Sequence, residues 1–160
     1  MKDADVLSVQ DVGVSIEGRT ILDGVSFDIP PGQFTGLIGA NGAGKTTLFR
    51  VILGMQATSS GRVLFEGRER SRGPRLVGYV PQKFLLDPDI PMRARDLVGL
   101  GLDAQRLGIP RPSRARRELI EEMLTAVDAT SFADTRVGRL SGGEQQRILI
   151  AHALIARPRL

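Results

Sequence analysis

A chain of 160 residues with 41% apolar content is long enough for one hydrophobic core, burying roughly 70% of its unfolded surface, and it needs no disulfide or metal staple. It has no cysteine, which fits a reducing compartment. The charged start Met1-Lys2-Asp3-Ala4-Asp5 leads into no apolar segment, so no secretory signal is expected. The net charge of +4 is carried by arginine, with Lys2, Lys45 and Lys83 the only lysines. Acids are interspersed and no aromatic stacking platform accompanies them, the pattern of a solvated surface rather than a nucleic-acid groove.

In chain order, Leu7–Val14 and Ser26–Ile29 cluster Val, Leu, Ile and Phe and predict strands. Pro30-Pro31-Gly32 predicts a hard turn. The short apolar run Phe34–Ile38 suits a buried strand. A glycine-rich loop opens at Gly39, and Thr46–Leu53 has the spacing of a helix ended by Gly54. Arg62–Phe65 and Val77–Val80 predict two further strands, the second stopped by Pro81. From Asp87 to about Gly138 the texture turns to proline breaks and helical spacing. There Ser113 caps a helix whose Leu119, Ile120, Met123, Leu124 and Val127 make one apolar stripe. Gly142–Ala156 predicts a last helix; the apolar part from Ile148 is interrupted by His152 and falls far short of the ~20 residues of a membrane span. The expectation is a single α/β domain over 1–160 with a helical lobe inserted at approximately 87–138.

The sharpest signal is Gly39-Ala40-Asn41-Gly42-Ala43-Gly44-Lys45-Thr46, a complete P-loop between a predicted strand and a predicted helix. A triphosphate needs many donors converging on a small volume. Gly39, Gly42 and Gly44 let the backbone curl so that successive N–H groups point inward. The following helix adds unpaired amides and the positive end of its dipole. Lys45 supplies a mobile charge for the β- and γ-phosphates, the Thr46 hydroxyl a ligand for Mg²⁺, and Thr47 a donor near the α-phosphate. The motif specifies a nucleotide without saying which.

Leu140-Ser141-Gly142-Gly143-Glu144 heads the last helix. Ser141 with Glu144 three residues on is a capping box. The glycines between them are poor helix formers, at ~1 kcal/mol each relative to alanine. Their presence in a capped first turn suggests bare amides offered to an outside anion, as well as the plainer reading of an ordinary capped helix. The P-loop, then Tyr79-Val80-Pro81-Gln82, then Leu140-Ser141-Gly142-Gly143-Glu144-Gln145-Gln146-Arg147 resembles, in order and spacing, the nucleotide-binding subunit of ATP-binding cassette (ABC) transporters.

The resemblance covers the whole chain. It implies a P-loop NTPase (RecA-like) core with an N-terminal antiparallel β subdomain and an inserted α-helical subdomain, ending before the strand that bears the hydrolytic Asp-Glu pair. It implies ATP and Mg²⁺ as ligands, bound by Gly39, Ala40, Asn41, Gly42, Ala43, Gly44, Lys45, Thr46 and Thr47. Lys45 and Gln82 would be the catalytic residues, with Gln82 joining Thr46 at Mg²⁺. Ser141, Gly142 and Gly143 would close on the ATP of a second subunit in a head-to-tail dimer. A transmembrane permease subunit and an extracytoplasmic binding protein would complete a system peripheral to the inner face of the cell membrane, with no nucleic acid among the partners. The segment Tyr79–Leu107 is most similar to importers of metals (zinc, manganese) or iron chelates.

The sequence departs from that family at several points. Ile16 stands where many relatives stack an aromatic on adenine, and Glu144 where many carry Gln. Arg157-Pro158-Arg159-Leu160 closes the chain given, so binding with little or no turnover is expected of it. Phe84-Leu85-Leu86-Asp87 imitates the missing acidic strand only faintly, with Pro88 behind it. Asp87 and Asp89 beside prolines suit a solvated loop better than a metal site. His152, the single histidine, suits packing or surface. The alternatives are a soluble ABC ATPase acting on DNA or the ribosome, and a non-catalytic fragment that binds ATP only.

Overall fold

The computed structural model describes residues 5–69, 77–82, 90–103 and 113–160. They divide into two compact units, residues 1–76 with Leu160, and residues 77–159.

The first unit is built on an antiparallel sheet. Strand β1 (Leu7–Ile16) turns through Glu17-Gly18 into β2 (Arg19–Ile29). β3 (Ser60–Phe65) and the short β4 (Arg68–Glu69) follow, giving the order β2-β1-β3-β4. β1 is central. Its Leu7 lies between Ile29 and Phe65, and its Val9 between Phe27 and Val63. Leu7, Val9, Val12 and Val14 are almost completely buried. β2 runs seven residues further toward the turn than the apolar cluster Ser26–Ile29 suggests. Arg19, Thr20 and Asp23 in that stretch are exposed, as on the wet face of a half-covered antiparallel sheet, so they carry little apolar signal.

Two predicted strands are absent from the ladder. Phe34–Ile38 pairs with no described residue, and its Phe34 and Ile38 side chains are 97% and 95% exposed. An all-apolar run of this kind reads as a strand covered on both faces, and a strand exists only where a neighbour supplies hydrogen bonds. Val77–Val80, in the second unit, also lacks strand structure. Its Gly78 instead packs against the end of the chain: a Cβ there would sit 2.9 Å from Pro158 Cγ and 3.1 Å from the Ala153 carbonyl oxygen.

Helix α1 (Lys45–Ile52) completes the first unit, with Leu48, Val51 and Ile52 buried. The predicted stop at Gly54 is present as a paired closure. Met55 N–H donates to Arg50 O at 2.7 Å and Gly54 N–H to Val51 O at 2.9 Å, satisfying two terminal carbonyls.

The second unit is helical: α2 (Ala94–Asp103), α3 (Arg114–Ala126) and α4 (Gly142–Leu154), with 3₁₀ turns at Thr130–Phe132 and Val137–Arg139. Val98, Leu124, Phe132, Val137, Ile148 and Ile155 are among its core. The apolar stripe of α3 behaves as core, Leu124 fully buried and Ile120, Met123 and Val127 packed against it. Ser113 Oγ accepts from Arg116 N–H at 3.1 Å, the predicted cap. Arg95 on α2 reaches Glu121 Oε1 at 2.6 Å and, through Nε and Nη2, the Asp134 carboxylate at 2.8 and 3.0 Å. Burial acts to lower the Arg95 pKa, but Glu121 and Asp134 outweigh it and raise it, so the guanidinium stays charged.

α2 and α4 meet backbone to backbone. A Cβ at Gly101 would collide with the His152 carbonyl and lie 2.5 Å from Ile155 Cγ2. One turn earlier, His152 Nδ1 is 2.9 Å from the Leu97 carbonyl oxygen. A carbonyl only accepts, so Nδ1 carries the proton and the histidine serves as packing between the helices. Gly101→Ala is expected to force α2 off α4 and destabilise the chain by about 1–3 kcal/mol, the range for overpacking, as measured by urea unfolding followed by circular dichroism.

Candidate nucleotide-binding site

The loop that opens at Gly39 is closed on itself by Ala43 N–H donating to Ala40 O at 3.2 Å. Gly44, with φ of 84°, turns it into α1. That glycine has a left-handed backbone and no spare room, since a Cβ would lie 2.7 Å from Leu22 Cδ2 and 3.0 Å from the Ile21 carbonyl oxygen.

The start of α1 differs from the starts of α3 and α4. It has no side-chain cap and no acid in its first turn, whereas Ser113 caps α3 and Ser141 caps α4. The first amides of α1 are therefore left to an outside acceptor, and the helix dipole favours an anion there. Lys45 curls back over the loop, its Nζ donating to the Gly39 and Ala40 carbonyl oxygens at 2.6 Å each. An ammonium held among loop carbonyls, beside uncapped amides, is an arrangement that suits a polyphosphate. Thr46 is exposed at the mouth and Thr47 is half-buried in the same first turn. Gly39, Ala40, Asn41, Gly42, Ala43, Gly44, Lys45, Thr46 and Thr47 thus form one continuous loop-and-helix start in the first unit.

Gln82, Ser141, Gly142 and Gly143 belong to the second unit, and all four are exposed. The capping box at α4 is complete. Glu144 N–H donates to Ser141 Oγ at 3.4 Å, while Glu144 Oε2 accepts from Ser141 N–H at 2.8 Å and from Ser141 Oγ at 2.7 Å. Only the third amide of the helix is used by the cap, and open space surrounds Gly142 and Gly143. The hydroxyl and amide of Ser141 hold the Glu144 carboxyl below the usual carboxylate range. Two contacts not foreseen from the sequence fix the approach to this turn. Gln145 Nε2 donates to the carbonyls of Leu140 and Val137 at 3.1 and 3.3 Å. The Arg147 guanidinium lies 5.1 Å from the Phe132 ring centre and 3.7 Å from Asp128.

Ile16 ends β1 opposite Arg19, with 43% of its surface exposed. Among the described residues no group of three His, Cys, Asp or Glu side chains could hold a metal ion. Likewise no described helix is long and apolar enough to cross a membrane. Lys83, Asp87, Asp89 and the run 84–87 lie outside the described residues.

The family model described as ABC transporter matches residues 22–160, running from the packing partner of Gly44 through the whole of α4. The chain belongs to the ABC transporter family. It is 37% identical over 157 residues to the zinc import ATP-binding protein ZnuC of Halorhodospira halophila, covering 98% of this chain and 54% of that protein. It is 34% identical over 148 residues to the manganese transport system ATP-binding protein MntB of Bacillus subtilis, covering 92% of this chain and 59% of that one. Among solved structures, cbiO1 from Clostridium perfringens, part of the ABC transporter complex cbiONQ, superposes with a TM-score of 0.77 at 27% identity, over 97% of this chain and 63% of that one. This ABC chain therefore spans little more than half the length of the curated relatives it matches. The fold is that of the family's ATP-binding domains, here an antiparallel sheet with a P-loop helix and a helical unit.

Ser141→Ala is expected to destabilise α4 by about 1 kcal/mol, the usual contribution of a serine cap. The Glu144 pKa is depressed on folding, so its contribution is present above the unfolded value and is lost as pH falls through the folded one. Unfolding titrations at descending pH should show that loss in the wild-type chain and not in Glu144→Gln, which keeps the box without the ionisation.

Proposed function

We propose that this chain is the ATP-binding part of an ABC transporter motor subunit, with residues 39–47 enclosing the triphosphate of Mg·ATP. The observation that carries the reading is the start of α1. It pairs uncapped amides with a lysine ammonium already inside the loop, with no acid in the first turn of the helix, a positive cradle suited to an anion. Lys45 exchanges its two carbonyl acceptors for the β- and γ-phosphate oxygens, and the backbone amides of the loop orient the chain of phosphates. The exposed Thr46 hydroxyl is placed to help hold Mg²⁺, which would neutralise phosphate charge. Gln82 is proposed as the second contributor at that ion and at the attacking water. The family's members are ATPases, and Lys45 and Gln82 are the residues proposed to act in that reaction.

Ser141, Gly142 and Gly143 are proposed to meet the nucleotide of a second motor subunit arranged head to tail. The open surroundings of both glycines support this reading. Glu144 keeps a negative charge at the same helix end, so the bare amides of Gly142 and Gly143, not net charge, would receive a γ-phosphate there. The helical stretch 87–138 is proposed as the inserted subdomain of a single nucleotide-binding domain, with the chain peripheral to the inner membrane face beside a permease subunit. Names of zinc and manganese transport among its relatives support metal-ion or metal-chelate import as the process served, with an extracytoplasmic binding protein delivering the cargo.

Calorimetric titration of the chain with Mg·ATP tests the core of this. Binding is expected for the wild type. Lys45→Ala should weaken it by about 100-fold or more, since contacts to charged groups contribute up to about 3 kcal/mol. Ser141→Arg should leave it unchanged, because that residue faces the partner's nucleotide. Equal affinity of wild type and Lys45→Ala would refute the phosphate assignment.

A further inference from the structure

We infer that Leu22, a residue of the β hairpin, is a positioning residue for the phosphate loop: it sets the height and direction from which Gly44 launches the first amides of α1. The inference rests on the reading of residues 39–47 as a triphosphate site and adds to it a side chain outside the loop.

Three observations converge on Leu22. Its Cδ2 stands 2.7 Å from where a Cβ of Gly44 would be, with the Ile21 carbonyl oxygen at 3.0 Å and Ile21 Cγ2 at 3.7 Å. The last glycine of the loop therefore rests directly on two consecutive residues of β2. Leu22 is only 7% exposed although its neighbours Thr20, Asp23 and Gly24 are exposed. The ladder is also irregular on either side of it. Between the pairs Val12–Val25 and Val14–Leu22, β2 carries one residue more than β1, and it does so again between Val14–Leu22 and Ser15–Thr20.

Extra residues in one strand re-aim side chains relative to plain alternation. Here they bring Leu22 onto the face it shares with Val25, since the partners of both, Val14 and Val12, are two residues apart on β1. The loop makes few other anchoring contacts. Residues 31–43 are exposed throughout, so the amide array is held to the packed part of the protein by the footing at Gly44 and, beyond it, by the buried Leu48, Val51 and Ile52 of α1. Donor direction matters strongly in a phosphate cradle, and a group held loosely by about 1 Å forfeits much of its effect. A branched apolar side chain of fixed length under Gly44 is a suitable stop.

The test compares cavities of the same chemistry at the two ends of one strand pair, using the full chain. Leu7 is buried more deeply still, 1% exposed, between Ile29 and Phe65. It lies about 23 Å along β1 from Val14, at roughly 3.3 Å per residue. Mg·ATP affinity is measured by calorimetry on material shown to be folded by circular dichroism. Leu22→Ala is expected to weaken Mg·ATP binding by about tenfold or more, with Leu7→Ala and the volume-retaining Leu22→Met within about twofold of wild type. Should either alanine variant fail to fold, Leu22→Val and Leu7→Val are compared by the same criterion. Equal losses at positions 22 and 7, or no loss at 22, would overturn the inference while leaving the triphosphate site standing. A wild-type chain that binds no Mg·ATP would overturn both.

Discussion

An α-helix begins with amide donors that its own turns cannot satisfy, and at α1 no side chain answers them. The rest of the first unit is arranged around that unmet demand. The loop before the helix brings its carbonyls round to seat the lysine ammonium. The β hairpin rises beneath the last glycine to carry the turn. The closure at Gly54 and Met55 finishes the other end of α1 with backbone bonds. Positive potential at one end and a backbone closure at the other make α1 a directional element.

The second unit solves a similar problem in the opposite way. Its α4 starts behind a full capping box, with a carboxylate as the acceptor. The two glycines between cap and acid stay uncovered. Gln145 and Arg147, in the first and second turns of α4, hold that start against the segment 128–140. A turn built from weak helix formers is thereby kept in one conformation by contacts made from further along.

Local chemistry was legible in the sequence wherever a few adjacent residues determine it. The glycine turn into α1 at Gly44, the Ser113 cap, the Ser141–Glu144 box and the stop at Gly54 all need only a turn or two of chain, and all are found where the residue types place them. What depends on distant pairing was not legible. Phe34–Ile38 has the composition of a central strand, yet strand structure requires partners that no described residue supplies. Val77–Val80 found a packing partner at Pro158 instead of a ladder. The reach of β2 toward its turn was hidden because its wet face is charged and polar. Leu22 carried no signal at all, since its face is decided by register irregularities that alternation does not reveal.

The meeting of Gly101 with the His152 carbonyl has a mechanical side. Two backbones that touch with no side chain between them cannot slide past one another without collision, and Arg95 braces α2 further to the loop that precedes α4. From His152 back to Ser141 is eleven residues of helix, about 16 Å at 1.5 Å per residue. The axis of that rod is fixed where a methyl group is missing, and the serine-glycine turn at its far end inherits the direction set there.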